Sequence, residues 1–311
     1  MLDSTNHQSP HRSPGGDVAG TARAYDCAGR NYATYADGES GSLFDFTGRY
    51  GFADRQIWQR LDATLRDLAS KGRRSLSILD VGCGPGTWLY RVITRSVALG
   101  FTDIKAEGID LSPAMIALAR ASRYARPGSA RVRTVWQVAD VCDGLQQADR
   151  SVDLCLCLYG VFNHLPTAEL ARIASELARV TAGHLFLTVR AAGSLPTIYV
   201  DAVDHASRFH QDNDTDRMEV DLLDGRHLSF PSHLFRSAEL RALFAPLMPR
   251  IGLCGLDVFH SRFATDPRWN PAYLDHDPHF AAQLDRLERS CAADPDFVNR
   301  ASHILLVGRS S

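Results

Sequence analysis

The residues best placed to do chemistry are three acids, each near the end of an apolar run. Asp80 lies in Ile78-Leu79-Asp80-Val81, which runs into Gly82-Cys83-Gly84-Pro85-Gly86. Asp110 closes Gly108-Ile109-Asp110, and Asp140 stands in Ala139-Asp140-Val141. Glycines such as Gly82 and Gly84 let a backbone turn tightly and a ligand approach closely. A turn of this kind, opening a helix, can hold a pyrophosphate on the helix N-terminus. Here Asp80 at the loop entry repels a phosphate and suits a cation. The G-x-G-x-G spacing also departs from the G-x-G-x-x-G of NAD-binding turns. A carboxylate at the tip of the second strand, Asp110, can accept hydrogen bonds from both hydroxyls of a ribose. Asp140 with a backbone N–H can read the edge of an adenine. A glycine triplet alone is an ordinary turn in most chains; the acids are what make this one specific.

A second group lies where an acceptor would sit. Ligands bind outside the carboxyl ends of parallel strands. The fourth apolar run ends in Leu158-Tyr159-Gly160-Val161-Phe162-Asn163-His164. Tyr159, Asn163 and His164 are the candidate catalytic residues, with a helix cap and a pocket wall as the plainer roles for His164 and Tyr159. Arg190 ends the fifth run and could anchor a carboxylate, although a surface arginine explains it as well. Tyr199 follows in a stretch that also carries His205 and His210. Those two are five apart and do not share a helix face well, and no metal-ligand spacing arises. Asp212-Asn213-Asp214 opens like a calcium loop, but Arg217 stands where glycine is needed and Leu223 where glutamate is needed.

These residues need a frame. Ser77–Val81, Ile104–Ile109, Val132–Val138, Val152–Leu158 and His184–Val189 read as strands. Helical patterns separate them over Thr87–Leu99, from Ser112 as cap with Pro113 following, and over Thr167–Val180, closed by Gly183. Such alternation implies a parallel sheet covered on both faces. Ahead of it, Ala53–Leu68 reads as an amphipathic helix. Residues 191–235 break the alternation: Pro196–His210 looks helical, and Arg217–Leu222 and Arg226–Phe230 flank Asp224-Gly225, a hairpin signal. Ser237 then caps a helix to Phe244. Ile251–Phe259 and His303–Val307 read as strands on either side of a helix at Phe280–Ala292.

The ordered set Leu79-Asp80-Val81-Gly82-Cys83-Gly84-Pro85-Gly86, Gly108-Ile109-Asp110-Leu111-Ser112-Pro113-Ala114-Met115-Ile116 and Ala139-Asp140 resembles the motifs of class I S-adenosylmethionine-dependent methyltransferases. The resemblance is good over residues 76–190 and looser over Tyr25–Gly38. It implies an α/β Rossmann-like fold, with a seven-stranded, mostly parallel sheet whose last strand is antiparallel and helices on both faces. It implies S-adenosyl-L-methionine as cofactor. Gly82, Gly84 and Asp80 would lie against its methionine part, and Asp110 would take the ribose. Leu111 and Met115 would pack on the adenine, Asp140 and Val141 would contact its edge, and Leu158 would complete the pocket. Family members often fold an N-terminal segment with tyrosines over the cofactor, which would place Tyr32 and Tyr35 there; Arg190 and Tyr199, after the fifth run, are the other candidate substrate residues.

The whole chain sets outer bounds. It has 311 residues, with 34 Lys and Arg against 36 Asp and Glu, and is 45% hydrophobic, the balance of a soluble globular protein. Near neutrality without a polybasic run argues against nucleic acid and anionic membranes as partners and for a small-molecule substrate. Seven scattered cysteines without a C-x-x-C pair suggest free thiols in the cytoplasm. Residues 1–24 read as a polar disordered tail and 25–75 as an N-terminal helical cover. Residues 76–311 read as the cofactor-binding domain, with a helix–hairpin insertion at about 191–235. The expected activity is methyl transfer to a small acceptor at O, N or C. The same motifs also suit cyclisation of the cofactor to a small ring amino acid with release of methylthioadenosine, or a non-catalytic binding module. Nothing in the sequence specifies an oligomeric state.

Overall fold

The computed structural model describes residues 20–27, 42–46, 51–122, 130–194, 206–260 and 278–310. Apolar runs with period two become strands, and runs with period 3.6 become the helices that cover them. In chain order the elements are helix α1 at 20–27, α2 (Gly51–Ser70), β1 (Ser75–Val81), α3 (Thr87–Ala98), β2 (Asp103–Asp110), α4 (Pro113–Ala121) and β3 (Arg131–Val138). After these come β4 (Val152–Cys157), α5 (Leu170–Val180), β5 (Thr181–Arg190), β6 (Ala206–Asp212), β7 (Arg217–Leu222) and β8 (His227–Pro231). The last are α6 (Ser237–Phe244), β9 (Arg250–Leu256), α7 (Pro278–Cys291), α8 (Pro295–Val298) and β10 (His303–Arg309).

Seven strands form one sheet in the order β3-β2-β1-β4-β5-β10-β9. Pairings from β3 through to β5 are parallel, and β10 runs antiparallel to both β5 and β9. The expected sheet, with its antiparallel final strand, is therefore present. Alternation along β4 sends Leu154 and Leu156 to one face and Cys155 and Cys157 to the other. The first face packs on Ile57, Leu61 and Leu65 of α2 and Leu89 and Val92 of α3, and the second on α5 and α6. Phe186 in β5 is fully buried at the centre of the first layer. Phe186→Ala is expected to cost about 3–5 kcal/mol, measured as a lower midpoint in urea at unchanged slope.

Strand order reverses between β2 and β4 on either side of β1, which opens a crevice at their carboxyl ends. Ser112 caps α4, accepting from the Met115 amide at 3.2 Å, with Pro113 in the first turn. Trp136 of β3 lies over the glycines, so a Cβ at Gly108 would meet its ring at 2.4 Å.

Several sequence expectations need correction. Helix α1 begins at residue 20, inside the stretch read as a disordered tail. Gly183 does not close a helix; it lies within β5, where a Cβ would come 2.3 Å from the Asp153 carbonyl oxygen. Ser237 is the first residue of α6 rather than its cap, and its amide donates to the Asn299 side chain at 2.7 Å. In the insertion the expected hairpin is present as β7-β8, while the part of the expected helix that is described is a strand. Residues 206–210 belong to β6, and β6-β7-β8 form a separate antiparallel sheet. Residues 196–205 lie outside the described residues.

Candidate functional site

A cavity of about 750 Å³, open mouth included, occupies the crevice. Its floor comes from the turn after β1 (Val81, Gly82, Gly84), the end of β2 with Asp110 and Leu111, and Ala139–Cys142 after β3. Tyr159, Val161, His164, Leu165 and Pro166 after β4 supply one wall, and Thr21 and Tyr25 of α1 reach in from above.

The glycine turn is shaped for this. Gly82 takes φ +69°, and a Cβ there would fall 2.1 Å from Val161 Cγ2. Asp110 knits the floor together: Oδ2 accepts from the Gly84 amide and Oδ1 from the Ser112 amide, both at 2.8 Å. Burial raises its pKa, against those two bonds. Asp140 Oδ1 accepts from the Cys142 amide at 2.8 Å, capping the single turn at Val141–Asp143.

Asp80 does not line the cavity but lies beneath it. It is 2% exposed, and its Oδ2 is buried without a hydrogen-bond partner. Burial first, then the Asp110 charge, pushes its carboxyl up to about 8. A buried carboxyl next to a second carboxylate is a site that a cation would relieve. Met115 and Leu158 are likewise buried behind the cavity rather than in its wall.

The wall after β4 separates its three candidates. Tyr159 adopts φ +56°, a strained conformation for a side chain of this size, and its amide donates to Thr188 Oγ1 at 2.6 Å. Its ring lines the cavity while its hydroxyl donates to Asp54 of α2. Burial and the Asp54 carboxyl push the phenol well above its ordinary pKa. His164 lines the cavity and bonds through Nδ1 to the Pro231 carbonyl at 2.8 Å. A carbonyl only accepts, so Nδ1 carries the proton and Nε2 is the ring's acceptor. Burial lowers its pKa to about 4, which keeps the imidazole neutral. Asn163 is fully buried and does not line the cavity. Its amide group donates to the Arg190 and His233 carbonyls at 3.2 and 2.5 Å, and its oxygen accepts from the Arg190 amide at 2.9 Å. Arg190 itself lies at the end of β5, beside that amide and outside the cavity lining. Tyr32, Tyr35 and Tyr199 lie outside the described residues.

Two acids escape a sequence reading. Asp54 meets Tyr159 from 105 positions away. Asp26 of α1 accepts from Ser112 Oγ at 2.5 Å and so docks α1 on the start of α4. Neither carries a local motif.

Residues 78–184, which hold the turn and all three strand-end acids, match the family model described as "Methyltransferase domain". This stretch is thus similar to a methyltransferase domain. No curated protein sequence matches the chain. Among solved structures it is similar to a magnesium protoporphyrin IX methyltransferase from Synechocystis, at 14% identity over 96% of this chain and 100% of that one, TM-score 0.49. It is also similar to the sugar N-methyltransferase KedS8 from Streptoalloteichus, at 22% identity over 82% and 91%, TM-score 0.42. The [4+2]-cyclase SpnF is similar at 16% identity over 93% and 94%, TM-score 0.48.

The residues present fit the cofactor that the sequence motifs imply: the unpartnered Asp80 oxygen would meet a cation, Asp110 would accept from a ribose, and the Asp140 turn would face a base edge. No described helix is long and apolar enough to cross a membrane.

Proposed function

We propose that the chain transfers the methyl group of S-adenosylmethionine to a small-molecule acceptor, at O, N or C, in the cytoplasm. The observation that supports this best is the placing of Asp110, which ties the glycine turn to the start of α4 beneath a cavity roofed by α1. Chain neutrality and the enclosure of the cavity by α1 favour a compact acceptor over nucleic acid.

When bound, the cofactor supplies a methyl already activated for in-line displacement. The chain's own residues have to bind, align and exclude water. Tyr159, held neutral by burial and by Asp54, serves as a rigid wall and not as a base. His164 offers Nε2 to the N–H or O–H of an acceptor and so orients its lone pair. Its low pKa makes it a poor place for the proton to stay, so the proton passes on to solvent. Asn163 acts through its backbone bonds, fixing Arg190 and His233 beside the wall.

Incubation with S-adenosylmethionine, alone and with pooled metabolites, followed by mass analysis, tests the reading. S-adenosylhomocysteine formed only with an added acceptor is the expected result. Methylthioadenosine formed without any acceptor would replace methyl transfer by cyclisation. Tight binding without turnover over a broad metabolite set would leave a binding module.

A further inference from the structure

We propose that His233, as an imidazolium, is the clamp that positions the small β6-β7-β8 sheet, and with it the roof helix α1, over the cofactor cavity. The proposal rests on the reading of that cavity given above and assigns the residue that holds it shut.

The small sheet is where α1 is held. Met218, Val220, Leu222 and Phe230 form a separate apolar cluster against Ala24 and Cys27 of α1. Gly20 lies so close to β8 that a Cβ would sit 2.4 Å from the Ser229 carbonyl oxygen. The His164 ring stands edge-on between Tyr25 and Phe230, with centroids at 5.8 and 5.3 Å. Its Nδ1 is bonded to the Pro231 carbonyl. Roof helix, cavity wall and β8 are thus one packed unit.

His233 follows β8 by two residues and ties that unit to the core. Its Nδ1 lies 2.9 Å from Asp216 Oδ2, at the turn between β6 and β7. Its Nε2 lies 2.7 Å from Glu239 Oε1 on α6, which belongs to the large sheet's helical layer. Its amide donates to the Asn163 carbonyl at 2.8 Å and its carbonyl accepts from the Asn163 side chain. The Phe235 ring meets the imidazole edge at 4.6 Å. Nε2 is within hydrogen-bonding distance of Glu239, while Nδ1 meets Asp216 as a charge pair without hydrogen-bond geometry, so both contacts attract only when the ring carries two protons. A neutral ring sets a bare nitrogen lone pair against one of these carboxylates and so must release either Asp216 on the lid side or Glu239 on the core side.

Glu239 first, and Asp216 after it, raise the pKa of His233 above its ordinary value against its partial burial. The charged groups acting on it are these two, from α6 and from the β6–β7 turn. The sign follows. A raised pKa means that the clamp is complete below the ordinary histidine range and is lost as pH rises through the raised value. His227 on β8 is raised too, by Asp221 and Glu219, but it is exposed on the sheet's outer face and touches neither α1 nor the core.

Hydrogen exchange of residues 20–27, corrected for the intrinsic rate and followed by mass spectrometry from about pH 6 to pH 9, tests the clamp. In the parent protein, protection should fall at least about tenfold over that range, the worth of one hydrogen bond to a charged group. In His233→Gln it should be low and flat. His227→Gln, the control, should keep the parent profile. Glu239→Gln, a change on the surface of α6, should move the midpoint down and serves if His233→Gln does not fold. Parent-like protection and pH profile in both His233→Gln and Glu239→Gln would overturn the proposal. Binding of S-adenosylhomocysteine at about pH 6, measured separately, reports on the cofactor reading: its absence sinks that reading, while the exchange profile still decides the clamp.

Discussion

Asp110→Ala is expected to weaken binding of S-adenosylhomocysteine by at least about 100-fold, the loss of two hydrogen bonds to a charged group at about 1.5 kcal/mol or more each. Two separate losses combine. The carboxylate is the acceptor for the Gly84 and Ser112 amides, so its removal frees the glycine turn and the first turn of α4 together. It also removes the group that would accept from a ribose. Asp110→Asn separates these losses. One amide oxygen can still accept from one of the two backbone N–H groups, while its NH2 faces the other as donor against donor. An intermediate loss is therefore expected for the asparagine. Calorimetry on folded variants, checked by circular dichroism, reads the result. Unchanged affinity in a folded Asp110→Ala protein would remove the ribose site from this cavity.

Asp80→Asn is expected to raise the stability of the ligand-free protein at alkaline pH and to lower its affinity for the cofactor. Asp80 is buried, with Oδ2 unpartnered and its carboxyl pushed up to about 8 from an ordinary 3.8. Between those values the folded state holds a proton that the unfolded chain has released. Stability at this site therefore falls as pH rises from near 4 to near 8, and then levels off. Asparagine cannot ionise, so the variant escapes that slope. The difference in thermal midpoint, variant minus parent, should widen across the same window and stay constant above it. Binding should show the opposite preference. A cation over Asp80 favours the ionised carboxylate, so uptake of S-adenosylmethionine by the parent near neutral pH should release a proton, seen as a buffer-dependent heat. The asparagine variant should bind at least about tenfold more weakly, one charge-assisted hydrogen bond's worth, and release no proton from this site. A flat midpoint difference across pH would show that Asp80 is not the titrating group.

The sheet and the floor of the cavity are legible in the sequence because both are local. Ile78-Leu79-Asp80-Val81 and the glycines after it are contiguous, and Gly108-Ile109-Asp110 repeats the same grammar one strand later. Other features are not local. Ala206–Asp212 is polar and short, and it is a strand because β7 pairs with it, not because its residues prefer one. The helix at 20–27 is held by an apolar cluster on β7 and β8, about 200 residues away. Tyr159 was visible as a residue at a strand tip, but Asp54, which turns its hydroxyl away from the cavity, comes from a different helix. Asn163 was visible as a polar residue in the right loop. Only the fold reveals that its amide is spent on the carbonyls of Arg190 and His233.

The place of β10 carries one more consequence. It pairs with β5 on one side and β9 on the other, so β9 reaches the sheet only through a strand made later. While the chain is being translated, β5 is therefore a bare edge and β9 has nowhere to dock until the ribosome has delivered residues 303–309. A nascent chain paused before that point exposes two sticky edges to its neighbours, which makes this interval the one in which a chaperone would matter most.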